Sequence, residues 1–437
     1  MKNILTVIVA ASTTLISLSY ADVPSGAIAS SGTPLSLTEC IELSQNRSVQ
    51  MVQASLNATK TEAMLQEARS QKLPQLTGNV QLSETNNLST QLNDANSIFL
   101  AVQQKAYPFS QIWLQADQTA KDFEATKKGV LETQQDVELL VKQLYFDILL
   151  DSDLLANISK VEAVLEDLLA TFLPKYNVGG VPVFDLAQVR TAILELNNQK
   201  TITKAQQKAQ KSRLAQILGR SAESDLELKS ISSFPEIPRQ QKVESKNETK
   251  ADSFDFSFNP TFERLHLQIE AAEVGVKVAN AGYLPSLTVA LQTDYSGATP
   301  SDLSPGWTFL VGLQVPILNW GQIAAQVQRQ SIERNLRETQ LELVQQQVRA
   351  DFIQARELAA ANLENEKKFK DLLNDVHTAS IVSIERYKRR ATSILEVAGA
   401  MNLWMGALSN ERNAYYSYLG ALAQMERYLG TSQSVHY

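Results

Sequence analysis

The spacing of apolar residues along much of the chain predicts unusually long helices. After Pro108, apolar residues recur seven, four, three, four and seven positions apart, the pattern of a coiled-coil seam. The seam consists of Val130, Val137, Val141, Leu144, Ile148 and Leu155. No proline occurs between Pro108 and Pro174 or after Pro316, and proline is excluded from helix interiors. We predict helices over 111–171 and 321–386, roughly 90 and 100 Å long at about 1.5 Å per residue.

Each long helix is followed by a turn and a shorter helix. The first turn, 173–182, is dense in proline and glycine, which break helices. The second turn is 387–393. Gly219 and Gly430 lie where the shorter helices should end, and glycine suits such a cap. The shorter helices are predicted over 37–72, 184–218, 260–282 and 394–429.

Four segments of about ten residues alternate apolar with polar positions, which predicts β-strands of the length that a tilted membrane-spanning strand requires. One set of alternate positions comprises Leu76, Gly78, Val80 and Leu82; Ile98, Leu100, Val102, Gln104 and Ala106; Leu287, Val289, Leu291, Thr293 and Tyr295; and Trp307, Phe309, Val311, Leu313 and Val315. Aromatic residues gather near the strand ends, as in the interfacial girdle of a membrane barrel: Tyr107, Phe109, Trp113, Tyr283, Tyr295, Trp307 and Trp320. A pair of soluble hairpins would give the same alternation.

The two halves of the chain resemble each other at an offset of 211 residues. Matching pairs are Leu73-Pro74-Gln75-Leu76 with Leu284-Pro285-Ser286-Leu287, Tyr176 with Tyr387, Asp185 with Glu396, and Leu218-Gly219 with Leu429-Gly430. A duplicated unit is usually a structural module. We predict a signal peptide over 1–21, a first repeat over 22–219, a linker over 220–258, a second repeat over 259–430 and a tail over 431–437.

The start of the chain and its composition indicate the compartment. Lys2 precedes an apolar run over 4–18, and Ser19-Tyr20-Ala21 provides the small residues of a signal-peptidase site. The single cysteine, Cys40, forms no intramolecular disulfide and does not follow a lipidation motif. No later segment reaches the 18 or so apolar residues of a membrane helix. The net charge of −7 argues against a nucleic-acid partner.

An enzymatic role has little support in the sequence. The three histidines, His266, His377 and His436, are far apart and show no metal-ligand spacing. Phosphate-binding loops and nucleophile motifs are absent from the sequence. Carboxylates on coiled-coil helices are usually solvated. We therefore expect no catalytic residue, cofactor or metal.

Four strands are too few to close a barrel, and an open edge in lipid leaves backbone groups unpaired, so several chains would have to share one barrel. With this requirement, the sequence from about Leu35 to Gly430 resembles the TolC-like outer-membrane efflux family. The motifs that carry the resemblance are Leu-Pro-x-Leu before each strand pair, Tyr107-Pro108-Phe109 and Val315-Pro316-Ile317 after it, Tyr176-Asn177-Val178-Gly179 followed by Asp185, Val141-x-x-x-Tyr145-Phe146 with Val348-x-x-x-Phe352, and the terminal Leu-Gly pairs.

The resemblance implies a mainly α-helical chain with membrane β-strands: a long coiled-coil barrel plus four strands per chain. As a homotrimer it would complete a 12-stranded β-barrel in the outer membrane of a Gram-negative bacterium and a helical tunnel across the periplasm. Such a channel contacts outer-membrane lipid and works with a periplasmic adaptor (membrane fusion) protein and an inner-membrane pump. It is the exit duct of a tripartite efflux or type I secretion system. The cargo is not indicated by the sequence.

The resemblance also places a gate at the far helical turns. Asp185 and Glu396 match acidic residues of the family's entrance, and Tyr387 matches a linking tyrosine. Val178 and Gly179 match a small pair that adaptor tips contact. The sequence departs from the family pattern at two places: Gly399 stands where a second acidic ring would lie, and Arg389-Arg390 replaces Val178-Gly179 in the second turn.

Several assignments stay open at this point. Arg386, Arg389 or Arg390 could pair with Asp185, and Arg390 is included among the gate residues. Glu396 could equally be a solvated carboxylate that a helix N-terminus favours. The alternative function is a soluble periplasmic coiled-coil scaffold or adaptor, which would explain the signal peptide and long helices but not the strands with aromatic ends.

Overall fold

The computed structural model describes residues 34–85, 93–106, 111–223, 226–231, 259–297 and 304–430. Its elements are α1 (Leu37–Arg47), α2 (Val49–Ser70), β1 (Gln75–Thr85), β2 (Asn93–Ala106), α3 (Gln111–Asn177), α4 (Val183–Ile217), α5 (Pro260–Asn280), β3 (Ser286–Gly297), β4 (Ser304–Gln314), α6 (Gln322–Lys388) and α7 (Ile394–Leu429). The predicted signal peptide, most of the predicted linker and the tail lie outside the described residues, as do Tyr107 and Phe109.

Two helices of 67 residues each, α3 and α6, confirm the predicted rods and are roughly 100 Å long. Four residues of the predicted seam, Val137, Val141, Leu144 and Ile148, are buried, as a coiled-coil seam requires. Val130 and Leu155 are half-buried. No described helix is both long enough and apolar enough to cross a membrane.

Two predicted helix boundaries were wrong. Helix α3 continues through Pro174 to Asn177, because the proline removes only one backbone bond of the last turn and Gly179 and Gly180 close that turn with backbone bonds of 2.9 and 2.7 Å. The predicted helix over 37–72 is divided at Ser48, whose hydroxyl caps α2 by accepting from the Met51 amide at 3.2 Å.

The shorter helices of each half meet near their ends. Gly219, at the end of α4, has φ +68°, and a Cβ there would lie 2.9 Å from the Cβ of Arg47 at the end of α1. In the second half, the Asn259 side-chain amide, at the start of α5, donates to the Tyr428 carbonyl of α7 at 2.9 Å.

Both halves contain a helix–strand–strand–helix–helix unit in the same order: α2, β1, β2, α3 and α4 in the first half, and α5, β3, β4, α6 and α7 in the second.

The four strands form one antiparallel sheet in the order β1-β2-β3-β4. Register pairs Leu291 with Phe309 and Val289 with Val311 across β3 and β4, so these residues share a face. Phe309, Val311 and Leu313 are exposed within one chain. The opposite face carries Thr288, Gln292, Thr308, Gly312 and Gln314 among its residues. The predicted alternation is therefore confirmed as one mainly apolar and one mainly polar sheet face.

The same register continues across the first two strands. Leu76 pairs with Val102 and Gly78 with Leu100, and Val102 pairs with Leu291. The alternating residues of both halves thus lie on one face of a continuous sheet. Within the described chain β1 and β4 are its two edges.

Two hydrophobic clusters hold the helices together. The first, in the middle of the rods, joins α1, α3, α4, α6 and α7 around Tyr145, Phe146, Phe352 and Leu419. The second lies at the far tips and joins α3, α4, α6 and α7. Cys40 is buried in the first cluster, and burial raises the pKa of its thiol to about 12.

Part of the predicted linker packs on the first cluster. Leu228 forms a parallel bridge with Leu35, and the Tyr145 hydroxyl donates to the carbonyls of Leu35 at 3.1 Å and Lys229 at 2.5 Å. Leu226 is buried in the cluster. The chain immediately after α4 is therefore fastened to the middle of the rods.

A buried ion network, which sequence analysis missed, joins α3 to α7. The Lys142 ammonium lies 2.8 Å from Glu138 and 2.7 Å from Glu426. Burial by itself would lower the pKa of Lys142, but the charges of Glu426 and Glu138 outweigh it and raise the pKa. Removing one partner of such a network typically costs about 3–5 kcal/mol, because the other charge stays buried. It therefore fixes the register of the two helices.

Candidate functional site at the helical tips

The structure brings the predicted entrance residues to the two turns that follow α3 and α6. Gly179 and Val178 lie in the α3–α4 turn, and Asp185 lies in the first turn of α4. Tyr387 and Arg390 lie at the end of α6 and in the turn after it. Glu396 lies in the first turn of α7. We call this set, with Phe172 and Thr392, the entrance cluster.

The two turns have the same backbone geometry although their sequences differ. Gly179 has φ +75° and Arg390, at the equivalent position, has φ +62°. The amide of the next residue bonds back to the helix in each turn: Gly180 to the Lys175 carbonyl at 2.7 Å, and Ala391 to the Arg386 carbonyl at 2.8 Å. Both helices thus end in a left-handed residue with the long capping bond of a Schellman-type ending.

The two turns, with Val178-Gly179 in the first and Arg389-Arg390 in the second, therefore differ in side-chain chemistry and not in backbone geometry. A left-handed conformation costs a residue with a Cβ about 1–2 kcal/mol, and glycine avoids this cost. Arg390 occupies this conformation because the capping bonds of the turn require it. The second turn presents cationic side chains where the first presents an exposed valine and a glycine.

Tyr387 joins the two halves of one chain. Its hydroxyl donates a short hydrogen bond to the Asp185 carboxylate, 202 residues away in sequence. The Phe172 ring lies 4.9 Å from the Tyr387 ring, between centroids, and covers it from α3. Burial, followed by the hydrogen bond to Asp185 and its charge, raises the pKa of Tyr387. Because a raised tyrosine pKa keeps the phenol protonated, the donor is present throughout the physiological pH range and is lost only when pH rises through that pKa.

The arginines of the second turn do not pair with Asp185 in the described chain. The Arg386 guanidinium donates to the Ala391 carbonyl at 3.4 Å and so supports the turn itself. At the end of α6, Lys388 forms an ion pair with Glu385 at 2.9 Å. Arg389 and Arg390 are exposed. Asp185 instead accepts its hydrogen bond from Tyr387, which was not among the three arginines that the sequence left open as its partners.

Glu396 lies in the first turn of α7 and is exposed. Its amide donates to the Ser393 hydroxyl at 3.3 Å, and its carboxylate accepts a short hydrogen bond from the Thr392 hydroxyl. A carboxylate in this first turn also faces the positive end of the helix dipole. Gly399 is exposed, and a Cβ there would meet nothing within 4 Å. Within one chain, space therefore exists for a larger side chain at Gly399.

Sequence reasoning assigned no role to three residues at or beside this site: Ser393, Thr392 and Phe172. Ser393 could have been found, because Ser-x-x-Glu is a helix N-terminal signature. Thr392 and Phe172 had no such local signal, since their partners are identified only by the fold. Among the described residues, no group of three or more His, Cys, Asp or Glu side chains is placed to hold a metal ion.

Exchanging the residues at the two equivalent left-handed positions, Gly179 and Arg390, should change the stability of the protein in opposite directions. We expect Arg390→Gly to stabilise the protein by roughly 0.5–1 kcal/mol, since it removes the left-handed strain but adds the entropy cost of glycine. The matched change Gly179→Arg should destabilise it by about 1 kcal/mol, although the position is sterically open. Thermal unfolding of both variants in detergent checks this. The same sign for both would contradict the equivalence of the turns.

Loss of the tyrosine hydroxyl should loosen the tips. Tyr387→Phe keeps the packing on Phe172 but removes a hydrogen bond to a carboxylate, which is worth about 1.5 kcal/mol in a half-buried site, so amides 389–393 should exchange roughly tenfold faster. Hydrogen–deuterium exchange with mass spectrometry measures this. Asp185→Asn in the Tyr387→Phe background should add little, and Tyr283→Phe, at the strand end, serves as a control that should leave these amides unchanged.

The comparisons with known proteins agree with this architecture. Residues 257–431 match the model of the family described as outer membrane efflux protein. A search of curated protein sequences finds no match. The crystal structure of CusC has a TM-score of 0.78 at 18% identity and covers 91% of this chain and 92% of its own. The outer membrane protein VceC from Vibrio cholerae has a TM-score of 0.79 at 13% identity, covering 90% and 96%.

A third solved structure, the open state of the MtrE outer membrane channel from Neisseria gonorrhoeae, has a TM-score of 0.75 at 14% identity, covering 90% of this chain and 88% of that one. At these identities the superpositions establish a shared fold. The resemblance predicted from the sequence is confirmed, and so is the mainly helical fold class with four β-strands; the 12-stranded barrel of a trimer stays a prediction. Residues 257–431 are thus similar to the outer membrane efflux protein family, and about nine tenths of the chain shares the fold of these solved outer-membrane proteins.

Proposed function

We propose that this protein is the outer-membrane channel of a tripartite efflux or type I secretion system, acting as a homotrimer. The sheet carries the proposal. One face is apolar, the other is mainly polar, and β1 and β4 are unpaired edges within the described chain. A sheet of this kind buries its apolar face in lipid and its polar face around water when closed into a barrel.

Closure requires additional copies. Four strands cannot form a barrel, whereas pairing β4 of one copy with β1 of the next satisfies both edges. Three copies give twelve strands, an even number within the range of outer-membrane barrels. The solved relatives described as outer-membrane channels support the same location for this chain, with α3 and α6 extending into the periplasm.

The helical tips are the proposed entrance. Three copies of α3, α4, α6 and α7 would surround a tunnel whose narrowest part is the entrance cluster. The Tyr387–Asp185 bond would hold the two hairpins of each chain together. Glu396, exposed and anionic, would line the opening three times and attract cations. Arg390 contributes a positive charge beside it.

The partners follow from the same arrangement. A periplasmic adaptor would contact the exposed α3–α4 turn at Val178 and Gly179, and an inner-membrane pump would supply the energy. The second turn, with the same backbone but exposed Arg389 and Arg390, would offer the adaptor a cationic surface instead. A soluble periplasmic scaffold, the alternative function, gives no role to an apolar sheet face carrying Phe309, Val311 and Leu313.

Neighbouring strand residues test membrane insertion. Val311 and Leu310 are exposed to nearly the same extent within one chain, 56% and 55%, but lie on opposite sheet faces. Val311→Arg should place a charge in lipid at a cost of roughly 2–4 kcal/mol and reduce the amount of protein in the outer-membrane fraction. Leu310→Arg should be tolerated better, because it faces the lumen. Equal recovery of both variants, or recovery of the wild type in the soluble periplasm without detergent, would contradict the proposal.

Charge at the entrance determines ion preference. Glu396→Gln removes three negative charges from the proposed opening, so the reversal potential in a planar bilayer under a salt gradient should shift away from cation preference. Glu364→Gln is the control, because this exposed carboxylate lies on α6 more than twenty residues before the tip. Selectivity that is the same in Glu396→Gln and wild type would refute the assignment of Glu396.

A further inference from the structure

The two repeats use their entrance tyrosine and carboxylate differently within one chain. At the 211-residue offset, Tyr176 is the counterpart of Tyr387 and Glu396 is the counterpart of Asp185. Tyr387 and Asp185 are bonded to each other across the boundary between the repeats. The described chain shows no bond between Tyr176 and Glu396, and both are exposed, Tyr176 to 36%.

We propose that the Tyr176 hydroxyl of one copy donates a hydrogen bond to the Glu396 carboxylate of a second copy. This bond would close the boundary between copies as the Tyr387–Asp185 bond closes the boundary between repeats. The inference rests on the trimer proposed above. In a ring of alternating first and second repeats, each tyrosine reaches the carboxylate of the preceding repeat, and for Tyr176 that repeat belongs to another chain.

The backbone places both tyrosines alike. Tyr176 lies three residues before the left-handed Gly179, and Tyr387 lies three residues before the left-handed Arg390. In each case the tyrosine carbonyl accepts a bond from the amide of the left-handed residue, at 2.9 Å from Gly179 and at 2.8 Å from Arg390. The side chain of Tyr176 therefore starts from the same backbone geometry at the end of α3 as that of Tyr387 at the end of α6. From that geometry, Tyr387 reaches Asp185.

The exposure of counterpart residues indicates where the second copy packs. Ile394 and Met405 of α7 are 3% and 8% exposed. They lie in the second hydrophobic cluster, at the far tips, which also contains residues of α3. Their counterparts on α4, Val183 and Leu194, are 65% and 68% exposed. The face of α4 that matches the buried face of α7 thus lacks cover within one chain.

The long helices show the complementary difference. Val161 of α3 is 1% exposed, whereas its counterpart on α6, Leu372, is 44% exposed. Because α3 packs on α7 within the chain, the equivalent contact joins α6 of one copy to α4 of the next. That contact would cover Leu372, Val183 and Leu194 and bring Tyr176 to Glu396.

The Glu396 carboxylate can accept a further hydrogen bond. Its carboxylate accepts from Thr392 through one oxygen, and an ionised carboxylate has about four acceptor positions. The counterpart of Phe172, which covers Tyr387, is Ser383. The bond between copies therefore lacks the aromatic cover of the bond within a chain. Water competes more strongly for it, so the boundaries between copies are the ones that open first.

Paired cysteine variants test the inference. Tyr176→Cys/Glu396→Cys, treated in the purified full-length protein with a bismaleimide of short spacer, should give cross-linked dimers and trimers on a denaturing gel. Asp185→Cys/Tyr387→Cys should give cross-linked monomer only. Mass spectrometry identifies the joined peptides. The wild type is a suitable background, because its one cysteine, Cys40, is fully buried with a raised thiol pKa.

The outcomes separate this inference from the proposed function. A 176–396 cross-link between chains supports the inference. A protein that is trimeric by native mass, with the 185–387 cross-link formed but no 176–396 cross-link between chains, overturns it and leaves the channel proposal standing. A protein without trimers overturns both. Single-cysteine variants at 176 and 396 show whether like residues cross-link across the axis.

Discussion

An antiparallel sheet with one apolar face and two unpaired edges is the constraint on which the rest of this structure depends. Lipid suits the apolar face, and unpaired strand edges are costly in lipid. The trimer proposed above would pair these edges with those of further copies. The helices that enter and leave the strands then have their direction set by the sheet. Their length carries the turns roughly 100 Å away. In the proposed trimer, the barrel at one end and the entrance at the other would both follow from this sheet.

The sequence repeat gives the two halves of this long molecule the same backbone geometry. Both halves place the same elements in the same order, and both long helices end with a left-handed residue and the same capping bond. Arg390 adopts the glycine conformation at some energetic cost because the turn is determined by its backbone bonds. Side-chain chemistry has diverged on this common backbone. The difference between the repeats is therefore electrostatic at the tips.

Interactions within the rods fall into two kinds. The central cluster and the buried Lys142–Glu426 pair hold α3 and α7 in one register, and breaking them is costly because charges and apolar groups lose their partners. The bonds at the tips are fewer and closer to water. Tyr387 and Asp185 are half-buried, and Glu396 is exposed. In the proposed tunnel, the tips would therefore be able to open without unfolding of the middle.

The sequence by itself determined what depends on local pattern: the seam of Val137 and Val141, the alternation of the strands, the capping glycines and the 211-residue repeat. Periodicity is local information, so these features can be read from the residues of one element alone. Only the tertiary structure decided that α3 passes Pro174, that Lys142 pairs with Glu426, and that Phe172 covers Tyr387. These contacts join residues far apart in the chain, and side chains of common types give no local sign of a distant partner. Their energy exists only once the helices are packed.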